Sequence, residues 1–69
     1  MKREEITRLQ SYLQQKFELP QLEVRQRKKQ DDSAEVYIGG EFIGVLYRDD
    51  DDEDLSYQFQ MAILEMDLE

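Results

Sequence analysis

Six consecutive carboxylates, Asp49 to Asp54, are the first residues of this chain that could do chemistry. Aspartate and glutamate oxygens are the ligands that Ca²⁺ and Mg²⁺ prefer. A helix-loop-helix calcium site needs glycine at the sixth position of its loop and glutamate at the twelfth. Counting from Asp49 places aspartate and glutamine there, and counting from Asp50 places leucine and methionine there. We therefore interpret the run as a solvated loop between strands, and weak divalent-cation binding is a third functional hypothesis.

The residue types that most catalytic and metal sites require are missing. The chain has no cysteine and no histidine, which excludes disulfides and every zinc site built from those two residues. Three serines are present, Ser11, Ser33 and Ser56, but no suitable base accompanies them. Carboxylates in a charged loop also lack the desolvation that tunes an acid or a base. We expect a non-enzymatic protein without cofactor, catalytic residues or metal ligands.

A cluster of basic residues comes closest to a nucleic-acid site, and it consists of Arg25, Arg27, Lys28 and Lys29. With Tyr37 and Phe42 on a neighbouring strand, it suggests the basic, aromatic surface that binds single strands. The alternative is that Arg27 pairs with Glu35 across strands while Arg25 stacks on Tyr37. The formal net charge of −8 opposes binding to nucleic acid and favours this alternative.

Charge is distributed unevenly along the 69 residues. Residues 1–29 contain eight Lys or Arg and four Glu, whereas residues 30–69 contain one Arg and thirteen acidic residues. Such asymmetry indicates either a polar interaction surface or complementarity between elements of the same fold.

One helix is predicted over residues 3–17. Ile6, Leu9, Leu13 and Phe17 recur at helical spacing and form one apolar stripe. The helix must end near Leu19, because the residue before a proline is disfavoured in helical conformation.

Strands are predicted at residues 22–28, 34–38 and 41–48. Gly39 and Gly40 between the last two fit a type I′ hairpin turn, which needs positive φ at both positions. This register places Tyr37 opposite Phe42 on one face. It places Val36 opposite Ile43 and Ala34 opposite Val45 on the other face, and Gly44 across from Glu35.

The last apolar segment decides the fold class, because its pattern fits two structures. As a helix, residues 55–68 would have apolar side chains on two opposite faces. As a strand over residues 55–67, they alternate with polar residues, with one bulge near residues 62–64. A small domain has little room for a helix that is apolar on two sides, so the strand is preferred. The prediction is a single α+β domain, residues 1–69, with the helix packed on one face of a four-stranded antiparallel meander (α-β-β-β-β).

Two stretches carry a resemblance to a known family: DDSAEVYIGGEFIGVLY (31–47) and SYQFQMAILEMDLE (56–69), behind a short N-terminal helix. Together they resemble a family of proteins about 70 residues long, found chiefly in alphaproteobacteria and classed as a domain of unknown function. The resemblance implies a bacterial, cytoplasmic protein and implies no activity and no site residues.

The sheet face opposite the helix gives the leading functional hypothesis. On the predicted register Tyr37, Phe42 and Leu46 project from this face and form an apolar cluster of the kind that marks a protein contact. We therefore expect a small interaction module that binds a protein partner, or a second copy in a weak homodimer, through this face or an edge strand. Nucleic-acid binding by residues 25–29 is the alternative. No apolar run is long enough for a signal peptide or a membrane span, so a cytoplasmic protein without membrane contact is expected.

Overall fold

The fold has one helix followed by a four-stranded antiparallel meander, as predicted. The computed structural model describes residues 1–29, 32–50 and 54–69. The strand order in the sheet is β1-β2-β3-β4, and each pair is antiparallel. The elements are α1 (Arg3–Phe17), β1 (Leu22–Gln26), β2 (Ser33–Ile38), β3 (Glu41–Asp49), β4 (Ser56–Gln60) and a one-turn 3₁₀ helix (Glu65–Leu68).

Helix α1 has the predicted bounds, and local interactions define both of its ends. At the N-terminus the Lys2 N–H donates to the Glu5 carboxylate over 3.1 Å. Glu4 and Glu5 lie in the first turn, where negative charge stabilises the helix dipole. At the C-terminus Glu18 adopts the left-handed conformation with φ of 54°, and the Leu19 N–H donates to the Gln14 carbonyl. The chain then passes through Pro20 into β1.

The hydrophobic core lies between α1 and one face of the sheet. Its buried residues are Met1, Leu13, Leu22, Val24, Ala34, Val36 and Leu46. The helix packs principally against β1, so β1 and β2 are well covered. Tyr57 and Phe59 of β4 are only partly buried against the edge of this core. The half of the sheet farther from β1 is therefore less completely covered.

The β2–β3 hairpin has the predicted turn but a different register beyond it. Gly39 and Gly40 have φ of 58° and 81°, which confirms the positive values that a type I′ turn requires. Tyr37 lies opposite Phe42 as predicted, but the register then shifts and Val36 lies opposite Gly44. Ile43 is therefore the extra residue of a β-bulge in β3.

The bulge corrects the predicted position of Leu46. Because side chains alternate between faces, one inserted residue moves every later side chain to the other face. Leu46 lies opposite Ala34 in the core and is only 3% exposed, so its predicted exposure on the open face is wrong. Val45 lies opposite Glu35, so its predicted pairing with Ala34 is wrong as well.

Gly44 is required by the close approach of β4. A Cβ atom at this position would collide with the Gln60 carbonyl oxygen and lie 2.8 Å from the Phe59 ring. Gly44 pairs with Val36 and not, as predicted, with Glu35. The glycine thus lets β3 and β4 pack closely beside the bulge.

The last strand is much shorter than predicted. Strand β4 ends at Gln60, so the predicted strand over residues 55–67, with a bulge near residues 62–64, is wrong. The last paired residues are Val45 and Gln60, and the bulge at Ile43 interrupts the regular edge that a longer β4 would need. Residues 65–68 instead form the 3₁₀ turn, in which the Asp67 carboxylate accepts from the Leu64 N–H over 3.0 Å. Strand β1 is also shorter than predicted, ending at Gln26 instead of residue 28.

Replacing Gly39 with valine should lower the free energy of unfolding by about 1 kcal/mol or more, because a β-branched residue resists positive φ. No atom lies within 4 Å of a Cβ built at Gly39, so this loss would come from the backbone. Urea unfolding measures it. Gly39→Asn is the matched control and should be nearly neutral, because asparagine tolerates this conformation. Equal stability of the valine variant and the wild type would contradict the turn type.

Candidate functional site

The two edges of the sheet differ, and helix α1 closes the edge formed by β1. The Val24 N–H donates to the Gln10 side-chain oxygen over 2.9 Å. The Gln14 amide nitrogen donates to the Leu22 carbonyl over 2.9 Å and to the Pro20 carbonyl over 3.1 Å. These side chains occupy backbone groups that a new strand would need. Charges on Glu23 and Arg25 further protect this edge, since charged edge strands resist pairing.

The opposite edge, β4, is open and uncharged. Its sequence is SYQFQ, within a run of ten uncharged residues from Leu55 to Leu64. In a chain of which 38% is charged, this run stands out. Among residues 1–29, 32–50 and 54–69, no backbone or side-chain hydrogen bond covers the outer side of β4 in the way that Gln10 and Gln14 cover β1. An uncharged strand with free backbone groups is a template for pairing with another strand.

An apolar groove runs beside this edge, between α1 and β4, which we call the α1–β4 groove. Its volume is about 880 Å³, within the range of ligand pockets. Leu9, Leu13 and Phe59 line its inner part. Its outer walls include large half-exposed side chains, namely Tyr12, Phe17 and Leu55. The groove exists because α1 packs over β1 and leaves the β4 side of the core partly uncovered.

Two basic side chains border the α1–β4 groove. Arg8 lies in the second turn of α1 and Lys16 in its last turn, and Lys16 Nζ lies 5.8 Å from the centroid of the Tyr12 ring. Glu5 is the carboxylate among the lining residues. The rim therefore favours apolar partners that carry negative charge.

Glu5 and Tyr57 join the helix to β4. The Tyr57 hydroxyl donates to Glu5 Oε2 over 2.6 Å, and Arg48 Nε lies 3.6 Å from the same oxygen. The hydrogen bond from Tyr57, followed by that from the Lys2 N–H, lowers the pKa of Glu5 below its ordinary value. The same bond to Glu5, together with burial, raises the pKa of Tyr57. This pair fixes the end of the groove nearest the helix N-terminus.

The residues after β4 are strongly exposed although many are apolar. Met61, Ile63, Leu64, Met66 and Leu68 are between 53% and 76% exposed. They follow β4 directly, and Met61 lines a second surface pocket together with Phe42 and Tyr47. Contiguous exposed apolar surface usually marks an interaction site.

The structure forms only part of the apolar cluster that was predicted on the sheet face opposite the helix, namely Tyr37, Phe42 and Leu46. Tyr37 and Phe42 contact edge to face, with ring centroids 5.7 Å apart. Tyr37 is further held by the Arg25 guanidinium, 4.0 Å from its ring, and its hydroxyl donates to Glu35 over 2.9 Å. Phe42 is 52% exposed, and Leu46 lies in the core. Phe42 also lines a surface pocket with Val45, Tyr47 and Met61.

Two of the four residues in the basic cluster are paired with acidic neighbours. Arg25 pairs with Glu23 over 3.1 Å, which lowers the pKa of Glu23 and raises that of Arg25. Arg27 lies 4.0 Å from Glu35, so the two predicted contacts, Arg27 with Glu35 and Arg25 with Tyr37, are confirmed. Lys28 and Lys29 are exposed beyond the end of β1.

The acidic run is described only at its two ends. Asp49 ends β3, and Asp50 lies 3.9 Å from Arg48, while Asp54 is exposed. Residues 51–53 lie outside the described residues, so the predicted loop is not tested there. Within the described part of the chain, no group of three or more His, Cys, Asp or Glu side chains could hold a metal ion. In that same part, no helix is long and apolar enough to cross a membrane.

Comparison with known protein families gives one match. A family model described as "Protein of unknown function (DUF3126)" matches residues 5–67. The chain belongs to the DUF3126 family. This confirms the resemblance seen in residues 31–47 and 56–69. Comparison with curated proteins and with solved structures gives no match.

The hydrogen bond between Tyr57 and Glu5 predicts a pH-dependent stability. The lowered pKa of Glu5 means that its contribution is fully present above the ordinary glutamate pKa and is lost as pH falls through the lowered value. Glu5→Gln should therefore reduce the free energy of unfolding by about 1 kcal/mol at neutral pH and by less at an acid pH below the ordinary glutamate pKa. Urea unfolding at the two pH values tests this.

Tyr57→Phe should show the same loss with the same pH dependence, because it removes the other partner of the bond. Glu4→Gln is the control, since Glu4 shares the first turn of α1. A loss in Glu5→Gln that is equal at both pH values would contradict the assignment.

Proposed function

We propose that this DUF3126 protein is a non-enzymatic protein-interaction module that binds its partner along the open edge of β4. The partner would add a strand to the sheet and place apolar side chains in the α1–β4 groove. In strand addition, backbone hydrogen bonds supply affinity and side-chain pockets beside the strand supply specificity. The observation that carries the proposal is the contrast between a β1 edge closed by Gln10 and Gln14 and a β4 edge left open and uncharged.

The exposed apolar surface supports binding with useful affinity. Complete burial of a large apolar side chain is worth roughly 1.5–3 kcal/mol. Tyr12, Phe17 and Leu55 are already about half buried in the free protein, at 57%, 48% and 48% exposed, so each would contribute about half of that value. The five exposed side chains after β4 add to this gain if the partner covers them. Association also costs translational and rotational entropy, and after this cost we expect a dissociation constant of micromolar order.

The composition supports a binding role over catalysis. The chain has neither histidine nor cysteine, and the described carboxylates other than Asp49 are paired with basic side chains or exposed. A general acid needs a carboxyl group that is desolvated and away from cations, and neither environment provides this. We also propose a bacterial cytoplasmic location, on the resemblance that residues 31–47 and 56–69 carry to this family.

Site-specific photo-crosslinking tests the β4 edge directly. A photoreactive residue in place of Gln58, at the middle of β4, should give discrete crosslinked protein products in native cells. The same residue in place of Gln15, which is exposed on α1, is the matched control and should give far less product. Equal crosslinking at the two positions, or none at Gln58, would contradict binding along β4.

The competing nucleic-acid function predicts a different result. A basic patch that binds phosphates should bind single-stranded RNA with an affinity that falls steeply with added salt. Because Arg25 and Arg27 are paired with carboxylates, we expect no such binding. Salt-sensitive binding that disappears when Arg25, Arg27, Lys28 and Lys29 are all changed to glutamine would reverse this ranking.

A further inference from the structure

The sequence around β4 is chemically symmetric about Gln58. Residues 55–61 read LSYQFQM. Moving outward from Gln58, each side has first an aromatic residue, then a polar residue and then an aliphatic residue. The three pairs are Tyr57 and Phe59, Ser56 and Gln60, and Leu55 and Met61. An antiparallel strand pair related by a two-fold axis places residues at equal distances from the axis opposite one another. Such a symmetric sequence can therefore pair with a copy of itself.

We propose that the partner on the β4 edge is a second copy of this chain, bound antiparallel with the two-fold axis at Gln58. This deepens the function proposed above and rests on it. The register places Tyr57 opposite Phe59 of the second copy, and Ser56 opposite its Gln60. Each pair occurs twice, and Gln58 meets its own equivalent on the axis.

Every cross-strand pair in this register is chemically matched. Tyr57 and Phe59 face the core side of the sheet, where they pack against the hydrophobic core, so the two aromatic pairs would extend that core across the interface. Ser56, Gln58 and Gln60 alternate with them and lie on the opposite face, where amides and hydroxyls can hydrogen-bond. Leu55 and Met61, just outside the two ends of the strand, occupy equivalent positions from Gln58.

The charge distribution permits this contact despite the net charge of −8. The run from Leu55 to Leu64 is uncharged, so no like charges are placed opposite one another along the paired strands. The remaining repulsion acts between more distant acidic groups and is screened by salt. Association should therefore strengthen as ionic strength rises.

The β1 edge offers no equivalent self-pairing. On this edge the Val24 N–H is bonded to Gln10 and the Leu22 carbonyl is bonded to Gln14. A second copy would therefore meet β4 and not β1. The assembly would close as a dimer because, among the described residues, β4 is the edge that each copy leaves open. In such a dimer both α1 helices lie on the same side of an eight-stranded sheet, and the two α1–β4 grooves adjoin across the interface.

A charge-exchange experiment tests the position of the axis. In the proposed dimer Gln58→Lys places two lysines opposite one another, and Gln58→Glu does the same with two glutamates. Each variant alone should dimerise about fivefold more weakly than the wild type, because like charges directly opposite destabilise a strand pair. An equimolar mixture should recover dimerisation, since lysine then faces glutamate. Sedimentation equilibrium measures all three samples at the same protein concentration and ionic strength.

Two controls keep the test independent of folding. Circular dichroism should show that the Gln58 variants retain the wild-type fold, since Gln58 is exposed. Gln15→Lys and Gln15→Glu, on the exposed face of α1, should leave dimerisation unchanged. Weakening by the Gln15 variants to the same degree would mean that net charge, and not the position at the axis, controls association, and would overturn the proposal.

Cysteine crosslinking provides an independent readout, because the natural chain has no cysteine. Opposite residues of an antiparallel pair have Cα atoms about 4.5–5.5 Å apart, which a disulfide can span. Gln58→Cys should form disulfide-linked dimers with oxidised glutathione, and Gln15→Cys should form far fewer.

The outcomes separate this inference from the proposed function. A wild-type chain that stays monomeric at high concentration and high salt, with no Gln58→Cys dimer, overturns self-pairing. If Gln58 then crosslinks to a different protein in cells, the proposed function stands with another partner. If Gln58 crosslinks no more than Gln15, both fail.

Discussion

Two side-chain amides on α1, those of Gln10 and Gln14, determine how the rest of this structure is arranged. By bonding the outer backbone groups of Val24 and Leu22, they hold the helix over β1 and close that edge of the sheet. A single 15-residue helix cannot also cover the far side of a four-stranded sheet. The β4 edge and the α1–β4 groove are consequently left uncovered by the helix.

A chain of 69 residues buries only about 60% of its unfolded surface, so its stability margin is small and incomplete coverage of the core matters. The interactions that hold β4 are correspondingly specific: a bond from Tyr57 to Glu5, and a glycine at position 44 that admits the Phe59 ring. A partner on β4 would bury the apolar surface that the helix leaves exposed. Binding at β4 would therefore also stabilise the fold, since anything that binds the folded state stabilises it.

Local patterns predicted most of the fold, whereas tertiary contacts decided the parts that were predicted wrongly. The bounds of α1 and the turn at Gly39 and Gly40 follow from periodicity and from glycine conformation. The bulge at Ile43 has no unambiguous sequence signal, and missing it assigned Leu46 to the wrong face. The apolar alternation after Gln60 resembled a strand, yet a strand needs a partner with a regular edge. Gln10 and Gln14 were not predicted as site residues because bonds to a distant backbone leave no pattern, whereas the uncharged run from Leu55 to Leu64 was visible in the sequence.

Amide hydrogen exchange at residue resolution, measured over a range of protein concentrations, tests most directly whether one edge of the sheet is closed and the other open for pairing. The account predicts that the Val24 amide is protected at every concentration by its bond to Gln10. The outward-pointing amides of β4 should exchange rapidly in dilute solution and become protected as concentration rises. Protection of those β4 amides that does not change with concentration, or concentration-dependent protection that appears at β1 instead, would contradict it.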